Sequence, residues 1–134
     1  MSVTRSRVAG GLLALGIAGA VLVPLASPAQ AARVDLEAFM RPTAAFSHAH
    51  GQAGYEAEHG TRHFELELHG VARLHGKLVA VRVHGTFVGR MRVSAQGEAH
   101  LDRRSGVPRM SVGDVVRVRT GSGRLVSQGT FHVD

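Results

Sequence analysis

No cysteine and no tryptophan occur among the 134 residues, and tyrosine occurs once, at Tyr55. Without thiols there is no disulfide, no thiolate nucleophile, no cysteine-based metal centre and no lipid anchor built on sulfur. Small exported domains often rely on disulfides, so a core and a hydrogen-bonded sheet must hold this one together. The shortage of aromatics argues against stacking on bases, since Phe64, Phe87 and Phe131 fall in apolar registers; nucleic acid is not an expected partner. There is no Gly-x-Ser-x-Gly elbow, and the glycine-rich segments join strand to strand instead of opening a helix. Neither a serine hydrolase nor a phosphate-cradling loop is expected.

The one long apolar run is at the start. Arg5 and Arg7 precede residues 8–23, a run of 16 that contains four glycines and stops at Pro24. A membrane span needs about 20 apolar residues. Ala29-Gln30-Ala31 then provides small side chains at the alternate positions that a signal peptidase requires. The expectation is a cleaved secretory signal over residues 1–31, cut after Ala31, and a secreted or extracytoplasmic product. Arg5-Ser6-Arg7 is not a twin arginine, which favours the general secretory route. Without Arg5 and Arg7 the 16 basic residues become 14 against 10 acidic ones, and the formal charge falls from +6 to +4.

Residues 32–52 lack sustained alternation and read as an irregular arm, with a short helix over 34–40. From residue 53 onwards the period is two, the spacing of side chains on opposite faces of a strand. Phe64, Leu66 and Leu68 alternate with His63, Glu65, Glu67 and His69. Val79, Val81 and Val83 share a face, as do Phe87, Gly89, Met91 and Val93. Ala99 with Leu101, then Val116 with Val118, and finally Leu125, Ser127, Gly129, Phe131 and Val133 continue the pattern. Glycine turns at 8 to 12 residue spacing predict about seven strands in one all-β domain over residues 53–134, an antiparallel sandwich or partly closed barrel.

Several segments carry a resemblance: Val88-Gly89-Arg90-Met91-Arg92-Val93, then Val107-Pro108, then Gly113-Asp114-Val115-Val116-Arg117-Val118-Arg119, and Leu125 through Ser127-Gln128-Gly129-Thr130-Phe131. In these the stretch 64–131 is similar to a small all-β domain that recurs in secreted bacterial proteins, mostly without assigned function. The resemblance implies a β fold and no reaction. Its matching residues are turn glycines, strand valines and a closing aromatic, and the histidines depart from it.

Nine histidines occur, all after residue 31, and five form His-Gly pairs at His50, His59, His69, His75 and His84. One reading is conformational, because histidine tolerates left-handed backbone at turn edges. The other is metal binding, because neutral imidazole ligates zinc and copper. His48-x-His50 on a flexible arm can fold over a strand face presenting His63, Glu65 and His69, which makes His48, His50, His63 and His69 the candidate ligands. Glu56, Glu58, Glu65 and Glu67 have a spacing compatible with paired catalytic carboxylates. Alternate glutamates are more simply the solvated face of a half-buried sheet. Arg103, Arg104, Arg109, Arg117, Arg119 and Arg124 form a late basic cluster suited to an anionic cell-envelope polymer. Together these residues favour an exported, non-catalytic binding or structural module. A histidine-rich zinc or copper protein is the alternative, and a polyanion-binding module the third reading.

Overall fold

The computed structural model describes residues 33–134; the expected signal and its cut after Ala31 lie outside the described residues. The described chain is all-β, with strands β1 (Val34–Pro42), β2 (His50–Glu58), β3 (Thr61–His69), β4 (Leu78–Val83), β5 (Thr86–Arg92), β6 (Ala99–Arg103), β7 (Val115–Thr120), β8 (Leu125–Thr130) and β9 (His132–Val133). A single turn of 3₁₀ helix, Ala72–Leu74, links β3 to β4. No helix among the described residues is long and apolar enough to cross a membrane.

Every pairing is antiparallel, in the order β5-β4-β7-β8-β1-β2-β3-β6, with β9 against β1. The two ends of this path meet. Leu101 on β6 packs its methyl groups against Gly89 on β5, where an added Cβ would lie 3.0 Å from them. Arg103 reaches from β6 to donate to the Val88 carbonyl at 2.7 Å. The sheet is therefore a nearly closed barrel, and β7-β4-β5-β6 within it has Greek-key order.

Two adjustments give the sheet its curvature. The register shifts between Val81 and Arg82, so that Val81 faces Gly89 while Arg82 faces Phe87. Val88 is the extra residue and points inward beside Gly89. A second shift between Val118 and Arg119 leaves Val126 as the extra residue on β8, buried next to Ser127. Bulges of this type bend and twist a strand. The sheet also turns a corner at β1, whose residues 34–40 pair with β2 while Arg41 and Pro42 pair with β8. There the fully buried Ser127 hydroxyl is satisfied by donating to the Arg41 carbonyl at 2.6 Å. Gly129 lacks the Cβ that would meet the Phe39 carbonyl at 2.4 Å.

The core is one cluster that includes Leu36, Ala38, Met40, Tyr55, Phe64, Leu66, Leu68, Val79, Val81, Met91, Val116, Val118, Val126 and Phe131. Expectation and structure part in several places, among them the last alternating set, where Val133 is 69% exposed and Val126 is buried ahead of Leu125. Within the expected irregular arm over 32–52, the helix at 34–40 is instead part of β1 and residues 50–52 begin β2, which leaves 43–49 as the irregular part. The residues Leu36-Glu37-Ala38-Phe39-Met40 favour helix by propensity, but pairing on both sides and the inward positions of Leu36, Ala38 and Met40 decide the outcome. The strand count rises from seven to nine. Phe87 is 40% exposed rather than in the core, because the β5 bulge turns Val88 inward in its place.

Candidate metal site on the outer sheet face

The His-Gly pairs have backbone reasons. His59 and His84 adopt φ of 52° and 50°, each followed by a glycine with positive φ, at the two-residue loops between β2 and β3 and between β4 and β5. Two consecutive left-handed residues make a type I′ turn, whose twist matches that of the strands it joins. His75, at φ −46° and ψ 129°, precedes Gly76 at φ 80°, the geometry of a type II turn. At Gly51 and Gly70 the need is close approach: a Cβ would fall 1.9 Å from the Glu67 carbonyl oxygen and 2.0 Å from that of His48.

Of the remaining histidines, His63 and His100 sit on the outer face of β3 and β6, while His48 lies in the loop before β2 and His132 on β9. Alternation on β3 sends Phe64, Leu66 and Leu68 into the core and His63, Glu65, Glu67 and His69 towards solvent. On β6, Ala99 and Leu101 point inward and His100 and Asp102 outward. The β3/β6 register sets Glu65 opposite Asp102 and Glu67 opposite His100. Two parallel diagonal contacts cross this ladder. His63 Nε2 lies 2.9 Å from Asp102 Oδ1, and His100 Nε2 lies 3.0 Å from Glu65 Oε2. An ionised carboxylate only accepts, so each ring nitrogen is the donor. One donor atom from each of Glu65, His100 and Asp102 lies within 4.8 Å of the other two.

This quartet of two imidazoles and two carboxylates is the donor chemistry of zinc and copper sites. A tetrahedral ion with bonds of about 2.0–2.2 Å sets ligand atoms roughly 3.4 Å apart, so the Glu65, His100 and Asp102 atoms would draw together by about 1 Å, while His63, which touches Asp102 alone, would have to swing in towards the other two. The His63 side chain is 22% exposed and the other three are 40–50% exposed, which leaves them free to make that adjustment. Arg104 Nε stands 3.8 Å from Asp102 Oδ1 and helps to hold that carboxylate. Beside the quartet, Gly54 on β2 leaves a hollow of about 240 Å³ walled by Gln52, Glu65 and Glu67.

Of the four candidate ligands, His63 belongs to this quartet. His48 is exposed in the 43–49 loop, and its carbonyl accepts from His50 Nδ1 at 2.9 Å. His50 faces His69 across β2 and β3, with ring centroids 5.5 Å apart. His69 lies 3.7 Å from Glu67 and 3.6 Å from Glu98. The structure thus gathers His48, His50 and His69 at one end of β3 and sets His63 six residues away, about 20 Å at a strand's rise. His100 and Asp102 are absent from the sequence-based set. Their outward alternation around Leu101 was visible, but the pairing of β6 with β3 was not.

The late arginines also divide. Arg117 and Arg119 lie on the outer face of β7, and Arg124 in the turn after it. Arg103 is turned to the Val88 and Ser105 carbonyls, and Arg104 flanks Asp102. Arg109 is exposed in the loop before β7. Comparison with protein-family models gives no match, and comparison with curated proteins gives no significant one.

Proposed function

We propose that the chain is an exported, non-catalytic β-barrel module that binds a divalent transition-metal ion, zinc or copper, on the outer face of β3 and β6 through His63, Glu65, His100 and Asp102. The observation that carries this reading is the paired diagonal contact, His63 to Asp102 and His100 to Glu65, on directly hydrogen-bonded strands. The ladder fixes the four Cα positions, so binding orders side chains only and costs little backbone entropy. The ion takes the place of the protons now shared between each ring and its carboxylate. With His63 swung in to join Glu65, His100 and Asp102, four protein donors fill a tetrahedral shell and leave no open position for an activated water, which favours holding the ion over hydrolysis. The partial exposure of the donors suits capture and release rather than a sealed structural site. The leader-like residues 1–31 support action outside the cytoplasm.

The test is calorimetric titration of zinc and of copper into residues 32–134, produced without a histidine tag. The expected result is one ion bound per chain with Kd tighter than about 100 μM, equivalent to about 5.5 kcal/mol, and loss of that binding in His100→Ala. Weaker binding, or binding that survives His100→Ala and disappears in His48→Ala/His50→Ala, overturns the reading.

A further inference from the structure

The barrel is electrostatically two-sided. Strands β1, β2, β3 and β6 carry Asp35, Glu37, Glu56, Glu58, Glu65, Glu67 and Asp102, whereas β4, β5, β7 and β8 carry no acidic residue. The second half presents Arg82, Arg90, Arg92, Arg117 and Arg119 outward. Across the ladder Arg82 is directly opposite Arg117, and Ala80 has Arg90 on one side and Arg119 on the other. Like charges placed opposite each other on a sheet destabilise it. Among the described residues none of these five arginines has a carboxylate partner.

The guanidinium groups are positioned all the same. Arg82, Arg92 and Arg119 each donate to a turn carbonyl, of Gly85, Gly76 and Gly123 respectively, and Arg117 Nε donates to Gln128. Each contact uses one of the five N–H donors of the group and leaves the others for an anion. Arg82 and Arg90 place their guanidinium carbons 5.6 Å and 5.1 Å from the centroid of the exposed Phe87 ring. A planar fork of this kind matches a phosphate oxygen pair.

We propose that this β4-β5-β7 face binds a flexible linear polymer of phosphodiester-linked polyols, with the arginines as its phosphate contacts. Charge complementarity supplies the attraction. The form of the face selects the occupant. Phe87, the aromatic of this face, is already engaged by two arginines, so a base-stacking platform for single-stranded nucleic acid is missing. The arginines are spread over three hydrogen-bonded strands, and a flexible chain can follow them from one to the next. This surface is separate from the proposed metal site and does not depend on it.

The experiment measures binding of fluorescently labelled poly(glycerol phosphate) to residues 32–134 by anisotropy. Binding is expected at 50 mM salt and at least about tenfold weaker at 200 mM, as counterion release requires. Arg90→Glu should weaken it by at least about tenfold, whereas Arg104→Glu, the same charge change beside Asp102, should change it less than about twofold. Arg90→Gln, with its thermal unfolding recorded, gives the same ranking if the Glu variant misfolds, and His100→Ala leaves the affinity unchanged. Absence of binding at 50 mM salt, equal losses in Arg90→Glu and Arg104→Glu, or tighter binding to a single-stranded oligonucleotide or to phosphatidylglycerol vesicles overturns the proposal.

Discussion

His63 Nε2 and Asp102 Oδ1 stand 2.9 Å apart although the residues are separated by 39 positions in the chain. The contact exists because β6, reached through the β4-β5 hairpin, returns to pair with β3. It is repeated one step along the ladder by His100 and Glu65. Two such pairs on a rigid support act together, so their contributions to ion binding should not add.

A double-mutant cycle tests that coupling. His63→Ala and Asp102→Ala should each weaken zinc binding by about 10–100-fold, and the double variant by far less than the product of the two. Fully additive losses measured by calorimetry would mean that the two side chains do not share an ion.

Proton linkage follows from the chemistry of the donors. Zinc competes with protons for both imidazole nitrogens, so affinity should fall as the solution is acidified. Calorimetric titrations over a series of pH values should show that loss. A pH-independent affinity would exclude imidazole ligation.

The core separates two phenylalanines that the sequence treats alike. Phe64 is fully buried and Phe87 is 40% exposed. Phe64→Ala should cost about 3–5 kcal/mol in urea unfolding, and Phe87→Ala less than about 1.5 kcal/mol. Comparable losses would show that β5 lacks the bulge at Val88.

Glycines of β2 should differ as sharply. A Cβ at Gly51 would overlap the Glu67 carbonyl, at 1.9 Å, while one at Gly54 would meet nothing within 4 Å. Gly51→Ala should destabilise by about 1–3 kcal/mol or more, and Gly54→Ala should be neutral or mildly stabilising, since glycine weakens a strand interior. Equal unfolding midpoints would contradict the β2/β3 register. At the β4-β5 loop, His84→Asn should be tolerated and His84→Val should lose about 1–2 kcal/mol, because φ there is 50°.

Much of this fold is written in period two. The inward sets on β3, β4 and β7 and the turns at His84-Gly85, Ser94 to Gly97 and Gly121 to Gly123 follow from local alternation and glycine chemistry. What local pattern could not supply is whatever depends on pairing partners. The bulges at Val88 and Val126 each insert one residue and invert the expected face of Phe87 or Leu125. β1 looked irregular because its inward side holds Ala38 between Leu36 and Met40, and only its neighbours on both sides make it a strand. For the site, His63 was legible as an outward strand histidine. His100 and Asp102 were equally outward, but nothing within ten residues of either indicates that β3 is next to them.

Zinc K-edge absorption spectroscopy on residues 32–134 with one equivalent of zinc, compared with His100→Ala, reads the ligand set of the ion itself. A four-coordinate ion with two imidazoles and two carboxylates at about 2.0–2.2 Å is expected, with one imidazole fewer in the variant. A shell of three or more imidazoles that is unchanged by His100→Ala, or a fully hydrated ion, would contradict that ligand set.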